Sequence, residues 1–190
     1  MRRVAVLAAA FAVAFASPPA RADAVSDALD AATAAYANGK LTETARRIAE
    51  ANSALSALQS AALLALLPPA PDGWTRSENT DMTATMVVIG GGSGIEATYS
   101  GPDEQYFTIT IFADNPMFLS MQEMYNNEML VTMMGGKKTI GGAEYLTQAE
   151  DSLFTIVGER LMVQATGAPV AVMEPVLAQI DHAALAAYGQ

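Results

Sequence analysis

Methionine is the residue type of this chain whose spacing most directly suggests chemistry. The sequence contains eleven methionines, and six of them lie between positions 117 and 134. Met117, Met121 and Met124 follow one another at i, i+4 and i+7, so a helix would place their three thioethers on one face. Thioethers are soft ligands that select Cu(I), and they need no thiol. The spacing therefore indicates a metal site with Cu(I) as its cofactor.

The same methionines have two other interpretations. Methionine fills irregular gaps in hydrophobic cores, so the three residues can form the buried side of a helix. A flexible methionine-rich helix can also line a groove for an apolar ligand or a partner helix. The sulfur atoms separate the three interpretations. Convergence on one point favours copper, dispersal in a sealed core favours packing, and an open groove favours binding.

A glycine-rich stretch, MVVIGGGSGIEA at residues 86–97, raises a second chemical hypothesis. Gly92, Gly94 and Ala97 fit the G-x-G-x-x-G/A spacing of a dinucleotide site, and Asp114 lies where a ribose-binding acid would be sought. Such a site needs a helix directly after the glycines, because the helix N-terminus holds the pyrophosphate. Residues 95–100 instead favour a strand. We therefore predict a glycine turn that joins two antiparallel strands.

Residues for nucleophilic or acid/base catalysis are scarce. The chain has no cysteine and one histidine, His182, which we expect near the end of the last helix as a surface or helix-terminal residue. Ser93 lacks the G-x-S-x-G frame of a nucleophile elbow, because Ile95 replaces the last glycine. The adjacent acid pairs 103–104 and 150–151 fall in predicted turns, where solvated carboxylates bond nearby backbone. The sequence therefore predicts no catalytic residues.

The N-terminus has the features of a secretory signal peptide. Arg2 and Arg3 are followed by an apolar run over residues 4–15 and by a small-x-small site at residues 20–22. We predict a signal peptide over residues 1–22 with Asp23 as the first mature residue. The apolar run is shorter than the about 20 residues of a membrane span, so no stable membrane insertion is expected after cleavage. The expected location is periplasmic or secreted.

Net charge limits the partners of the protein. The formal charge is −10, and removal of the three arginines of the leader makes it more negative. Nucleic acid is excluded as a partner, because binding to phosphates requires a basic surface. An envelope protein or a small apolar ligand remains as the expected partner.

Hydrophobic periodicity changes along the mature chain. Apolar residues at helical spacing predict two helices, the first ending at Asn38 and Gly39 and the second running from a cap at Thr42 to Pro68. They would form a helical hairpin over residues 23–67. The remaining residues, 68–190, change to a period near two, which predicts an antiparallel sheet. The expected fold is α+β, with helices packed on one face of the sheet.

Within residues 68–190 we predict the following elements. Strands are expected at residues 83–89, 94–100 and 106–112, followed by a helix at 115–127. Further strands follow, with turns at 141–142, 150–151 and 158–159. A last helix is expected at 170–188, with Pro175 placed early in it or kinking it. Trp74, after the proline-rich stretch that joins the two parts, is expected to pack at that joint.

Four segments carry a resemblance to a known family. They are Y-x-x-G at residues 36–39, LLPPAPDGW at 66–74, IGGAEYL at 140–146 and VGERLMVQATG at 157–167. With the signal peptide, they make the chain resemble a family of exported proteobacterial proteins of unknown function. The sheet with its helices is similar to the small α+β folds of the PsbP and Mog1 type. The resemblance implies a fold and no catalytic residues.

These observations predict an exported, non-enzymatic binding or interaction protein. Cu(I) binding through Met117, Met121 and Met124 is the alternative function. An acid/base hydrolase is the third.

Overall fold

A computed structural model describes residues 23–116 and 118–189. Seven strands form one antiparallel sheet with the order β1-β2-β3-β7-β6-β5-β4. The strands are β1 Thr75–Asn79, β2 Ser93–Ser100, β3 Tyr106–Ala113, β4 Lys137–Ile140, β5 Ala143–Ala149, β6 Ser152–Val157 and β7 Leu161–Thr166. The helices are α1 Ala24–Ala37, α2 Leu41–Leu64, α3 Thr83–Val88, α4 Phe118–Asn126, α5 Glu128–Met134, α6 Val170–Leu177 and α7 His182–Ala186. The predicted α+β class is confirmed, and the predicted leader lies outside the described residues.

The chain divides into two compact units between Ala51 and Asn52. The described part of the first unit consists of α1 and the beginning of α2. The Asp23 carboxylate caps α1 by accepting a hydrogen bond from the Ser26 amide at 2.9 Å. Gly39, at φ 70°, provides the left-handed turn after α1. Both predicted helices are confirmed, with α2 beginning at Leu41, one residue before the expected cap.

The second unit contains the sheet and its core. On one face, alternate side chains of the strands pack with the end of α2, with α6 and with α7. The buried helical residues of this core include Leu63, Met173 and Leu185. Tyr99 and Phe107 stack at the centre of this core, with 5.0 Å between ring centroids. Helices therefore cover this face, as expected.

The other face carries helices at one end. Leu146, Phe154 and Met162 alternate with the residues of the main core, because successive strand residues point to opposite faces. They form a second cluster with side chains of α4 and α5. The sheet thus has helices on its second face in addition to those on the first.

Residues 83–89, which we predicted to be a strand, form helix α3 instead. Their β-branched residues favour a strand locally, but Met82 and Met86 are both buried, and i, i+4 spacing on a helix places them together. The Met86 amide donates to the Met82 carbonyl at 2.8 Å. The glycine turn therefore joins a helix to β2, and β2 pairs with β1 and β3. Strand β1 was not predicted.

The predicted last helix is interrupted. Helix α6 ends at Leu177, and α7 begins at His182. The Asp181 carboxylate caps α7 by accepting from the amides of Ala183 and Ala184 at 3.0 and 2.9 Å. Asn127 likewise caps α5, a helix that we did not predict after the expected one. The turns at residues 141–142, 150–151 and 158–159 are confirmed.

Candidate functional site

A cleft of about 170 Å³ opens at the start of β2. Four segments of the second unit form it: the later part of α2, the residue after β1, the buried side of α3 and the glycine loop. Its lining residues are Ser56, Ser60, Thr80, Met82, Met86, Gly91, Gly92, Ser93 and Gly94. None of these side chains ionises near neutral pH. The cleft therefore offers hydroxyl groups, thioethers and backbone, and no charged side chain.

Two methionine sulfurs converge in this cleft above Gly94. A β-carbon added to Gly94 would lie 3.3 Å from Sδ of Met82 and 3.3 Å from Sδ of Met86. The two sulfurs are therefore no farther apart than twice that distance. Both side chains are buried. A side chain at Gly94 would occupy the space next to the two thioethers, so Met82 and Met86 would have to move to accommodate it.

Ser93, the first residue of β2, is one of the lining residues of the same cleft. Ser93 is buried, and its Oγ makes no hydrogen bond of ordinary length and angle. Burial raises the pKa of Tyr188, and the nearby Ser93 hydroxyl opposes that rise. A buried hydroxyl without a well-formed hydrogen bond costs free energy.

The glycine loop below the cleft is held in place by Asn115. This buried amide donates to the carbonyls of Ile89 and Gly91 at 3.1 and 2.6 Å. Gly92, at φ 93°, packs so closely on β3 that an added β-carbon would lie 2.4 Å from the Ala113 carbonyl oxygen. The loop is therefore a fixed support for the cleft and not a cradle for phosphate.

The sequence-predicted copper ligands lie elsewhere. Met121 and Met124, in α4, are partly buried against the cluster of Leu146, Phe154 and Met162. Met117 lies outside the described residues. The surroundings of Met121 and Met124 agree with the packing interpretation. Copper binding by these three residues stays a prediction.

His182 forms a hydrogen bond in the core rather than lying free on the surface. It is the first residue of α7, and its Nε2 lies 2.9 Å from the Tyr145 hydroxyl. Burial lowers the pKa of His182, with smaller opposing effects from the Ile180 backbone and the Asp181 charge. Burial also raises the pKa of Tyr145. The His182 ring is therefore held against β5 by its hydrogen bond to Tyr145.

The two acid pairs considered for chemistry, 103–104 and 150–151, both lie in turns between strands. Asp103 and Glu104 lie in the exposed turn between β2 and β3. Asp114 is engaged by Arg160, which donates from Nε and Nη2 at 2.7 and 2.9 Å. Within residues 23–116 and 118–189, no group of three or more His, Cys, Asp or Glu side chains could hold a metal ion.

Met82 and Met86 were not predicted as a pair. Their i, i+4 spacing beside a run of glycines was a usable signal, but the predicted strand began at residue 83 and left Met82 outside it. Extended chain would also separate two residues four apart by about 13 Å. Among the described helices, none is long and apolar enough to cross a membrane. Comparison with protein-family models, curated proteins and solved structures finds no match to the chain. The family resemblance therefore stays a prediction.

Proposed function

We propose that this protein is an exported, non-enzymatic binding protein, and that its ligand occupies the cleft at the start of β2. The main support for the proposal is the set of chemical groups that line the cleft. Two methionines, serine and threonine residues line it together with glycine backbone, and Asn115 holds the loop beneath by hydrogen bonds to the Ile89 and Gly91 carbonyls. Binding sites commonly combine apolar walls with a few placed polar groups.

The same lining supports a role without catalysis. General acid/base chemistry needs a titratable side chain within hydrogen-bond reach of the substrate. The cleft presents serine, threonine, methionine and glycine, and no base lines it to activate a serine hydroxyl. Binding is the chemistry that these groups can perform.

The size of the cleft restricts the ligand. A water molecule occupies about 30 Å³ of liquid, so the cleft corresponds to roughly five water molecules. A ligand that fits inside is therefore an ion or a small molecule, and a larger molecule would enter with only one group.

Native mass spectrometry tests the proposal by showing whether the purified protein retains a ligand. Protein expressed from the full-length sequence is purified without denaturation and examined by native mass spectrometry. Ser56, an exposed residue at the rim of the cleft, is changed to tyrosine to obstruct it. Ser53→Tyr is the matched control, because Ser53 is exposed on the same helix but is not among the lining residues.

We expect the unmodified protein and Ser53→Tyr to retain an added mass that Ser56→Tyr loses. A retained mass that is equal in all three proteins would place the ligand elsewhere. The absence of any retained mass from the unmodified protein would count against a binding role for the cleft.

A further inference from the structure

We infer that the ligand of the cleft is Cu(I), bound by the thioethers of Met82 and Met86; this inference rests on the proposed function. The supporting observation is that both sulfurs lie 3.3 Å from the position that a β-carbon on Gly94 would take, so they are no farther apart than twice that distance, and both residues line the cleft. Rotation of the two flexible side chains would bring both thioethers onto one ion, and thioethers select a soft monovalent ion.

The donor set excludes most other metals. Calcium and magnesium require several oxygen ligands, usually with carboxylates among them, and no carboxylate lines the cleft. Structural zinc sites use thiolates and imidazoles, whereas this chain has no cysteine, and His182 is hydrogen-bonded to Tyr145. Thioethers with neutral oxygen donors nearby leave Cu(I) as the fitting ion.

The structure also allows the two sulfurs to adjust to an ion. Methionine has several rotatable bonds, so each thioether can move while its backbone stays fixed. The Met86 amide bonds to the Met82 carbonyl, and Asn115 holds the loop that follows α3. Backbone positions are thus set before the ion binds, and side-chain rotation completes the site.

The environment favours a cation. The cleft has no lysine or arginine among its lining residues, and the chain as a whole carries a formal charge of −10. A negative overall charge raises the local concentration of cations. Burial of both methionines keeps bulk water away from the bound ion.

Met121 and Met124 provide a matched comparison within the same molecule. They are three residues apart, a spacing that also places two side chains on one face of a helix. They pack against Leu146, Phe154 and Met162. The two pairs therefore contain the same side chains in different surroundings. One pair faces a cleft, and the other contacts an apolar cluster.

The test is an anaerobic Cu(I) titration against bicinchoninate, a chromophoric chelator that competes for the ion. The cleft variant carries Met82→Leu and Met86→Leu, and the control carries Met121→Leu and Met124→Leu. Leucine conserves most of the volume of methionine while it removes the sulfur. Circular dichroism and thermal unfolding establish that both variants are folded.

We expect one Cu(I) per chain in the unmodified protein and in the control. Affinity should fall more than about a hundredfold in the cleft variant, because even loss of an outer-shell group at a metal site costs about 10–100-fold. Equal affinity in the cleft variant, or absence of Cu(I) binding from the unmodified protein, would overturn the inference. Loss of Cu(I) binding in the control alone would show that the site lies at α4 and not in the cleft.

A second measurement needs no substitution. With methionine labelled at its methyl carbon, Cu(I) should shift the signals of Met82 and Met86 in the unmodified protein and leave those of Met121 and Met124 in place. Unmoved Met82 and Met86 signals would overturn the copper inference. If Ser56→Tyr still abolished a retained mass other than copper, the proposed binding function would stand without the copper inference.

Discussion

The hydroxyl of Tyr145 lies 2.9 Å from Nε2 of His182 and joins β5 to the first turn of α7. The rings meet edge to face, with their centroids 5.7 Å apart. The other ring nitrogen, Nδ1, is buried and makes no hydrogen bond of ordinary length and angle, and the nearby Ile180 backbone offsets only part of the effect of burial on the His182 pKa. A second proton on this histidine would therefore have no acceptor of good geometry, so the arrangement favours neutral imidazole.

The first prediction concerns the pH dependence of stability. Burial lowers the pKa of His182 in the folded state below its ordinary value of about 6.5, so the unfolded chain takes up the proton first. The contribution of His182 to stability is complete above about pH 6.5 and falls as the pH drops towards the lower folded pKa. Urea unfolding should show this loss in the unmodified protein and not in His182→Gln. An equal pH dependence in the two proteins would contradict the account.

Removal of the Tyr145 hydroxyl should weaken the same contact at neutral pH. Tyr145→Phe keeps the ring but deletes the hydrogen bond, so we expect a loss of about 0.5–1.5 kcal/mol in the free energy of unfolding. Chemical denaturation at about pH 7.5 measures it, well above the range in which His182 titrates. A Tyr145→Phe protein as stable as the unmodified one would show that the contact contributes nothing net.

The third prediction uses the close approach of Gly101 to Trp74. A β-carbon on Gly101 would lie 2.4 Å from Cε2 of the indole, which packs with its ring centroid 5.5 Å from that of Phe107. The rigid indole must move, so Gly101→Ala should destabilise the fold by about 1–3 kcal/mol. Trp74 is the only tryptophan, and its fluorescence reports the displacement directly. Unchanged emission together with an unchanged denaturation midpoint would be the opposite result.

Gly94→Ala should behave differently from Gly101→Ala. The added methyl group meets Cε of Met86 at 2.9 Å, and this atom is the end of a flexible side chain that can rotate away. We therefore expect a smaller loss of stability than in Gly101→Ala, together with weaker retention of the cleft ligand. Native mass spectrometry and denaturant unfolding of both variants provide the comparison. Full retention by Gly94→Ala would argue against the space above Gly94 as the binding position.

The fifth prediction separates backbone strain from charge at Asp114. Its φ of 55° lies in the left-handed region, and its ion pair with Arg160 is solvent-accessible on both sides. Asp114→Asn should change stability little, because asparagine tolerates this conformation and an exposed ion pair contributes little. Asp114→Val should cost about 1–3 kcal/mol from backbone strain. A lower urea midpoint for Asp114→Asn than for Asp114→Val would refute this explanation.

The elements that sequence predicted best have strong periodicity and clear ends. Strand β3 combines alternation with β-branched and aromatic residues, and the turns of the β4–β7 region carry glycine or adjacent acids. Helix α1 has an apolar stripe and ends at Asn38 and Gly39, which tolerate a left-handed cap. Local signals and tertiary packing agree at these positions.

Helix α3 shows where local signals fail. Its residues favour a strand by type, and the six-residue helix is too short for a clear period. Tertiary packing decides, because burial of Met82 and Met86 over Gly94 requires helical spacing. The cleft was not predicted for the same reason, since its two thioethers lie side by side only if residues 83–88 form a helix. The sequence pattern instead favoured the more closely spaced methionines at residues 117–134.

The break between α6 and α7 was hidden for a related reason. Apolar residues continue at helical spacing through the break, but Asp181 caps a new helix and turns His182 towards Tyr145. Capping by aspartate is visible in a sequence only when the preceding helix is known to end.

The most direct test of the central claim is the methyl spectrum of protein labelled at the methionine methyl carbons. It is recorded on protein purified without denaturation and again after unfolding, removal of small molecules and refolding. The account predicts that the Met82 and Met86 signals differ between the two samples, while those of Met121 and Met124 coincide. Coincident Met82 and Met86 signals, or differences confined to Met121 and Met124, would contradict a ligand in the cleft at the start of β2.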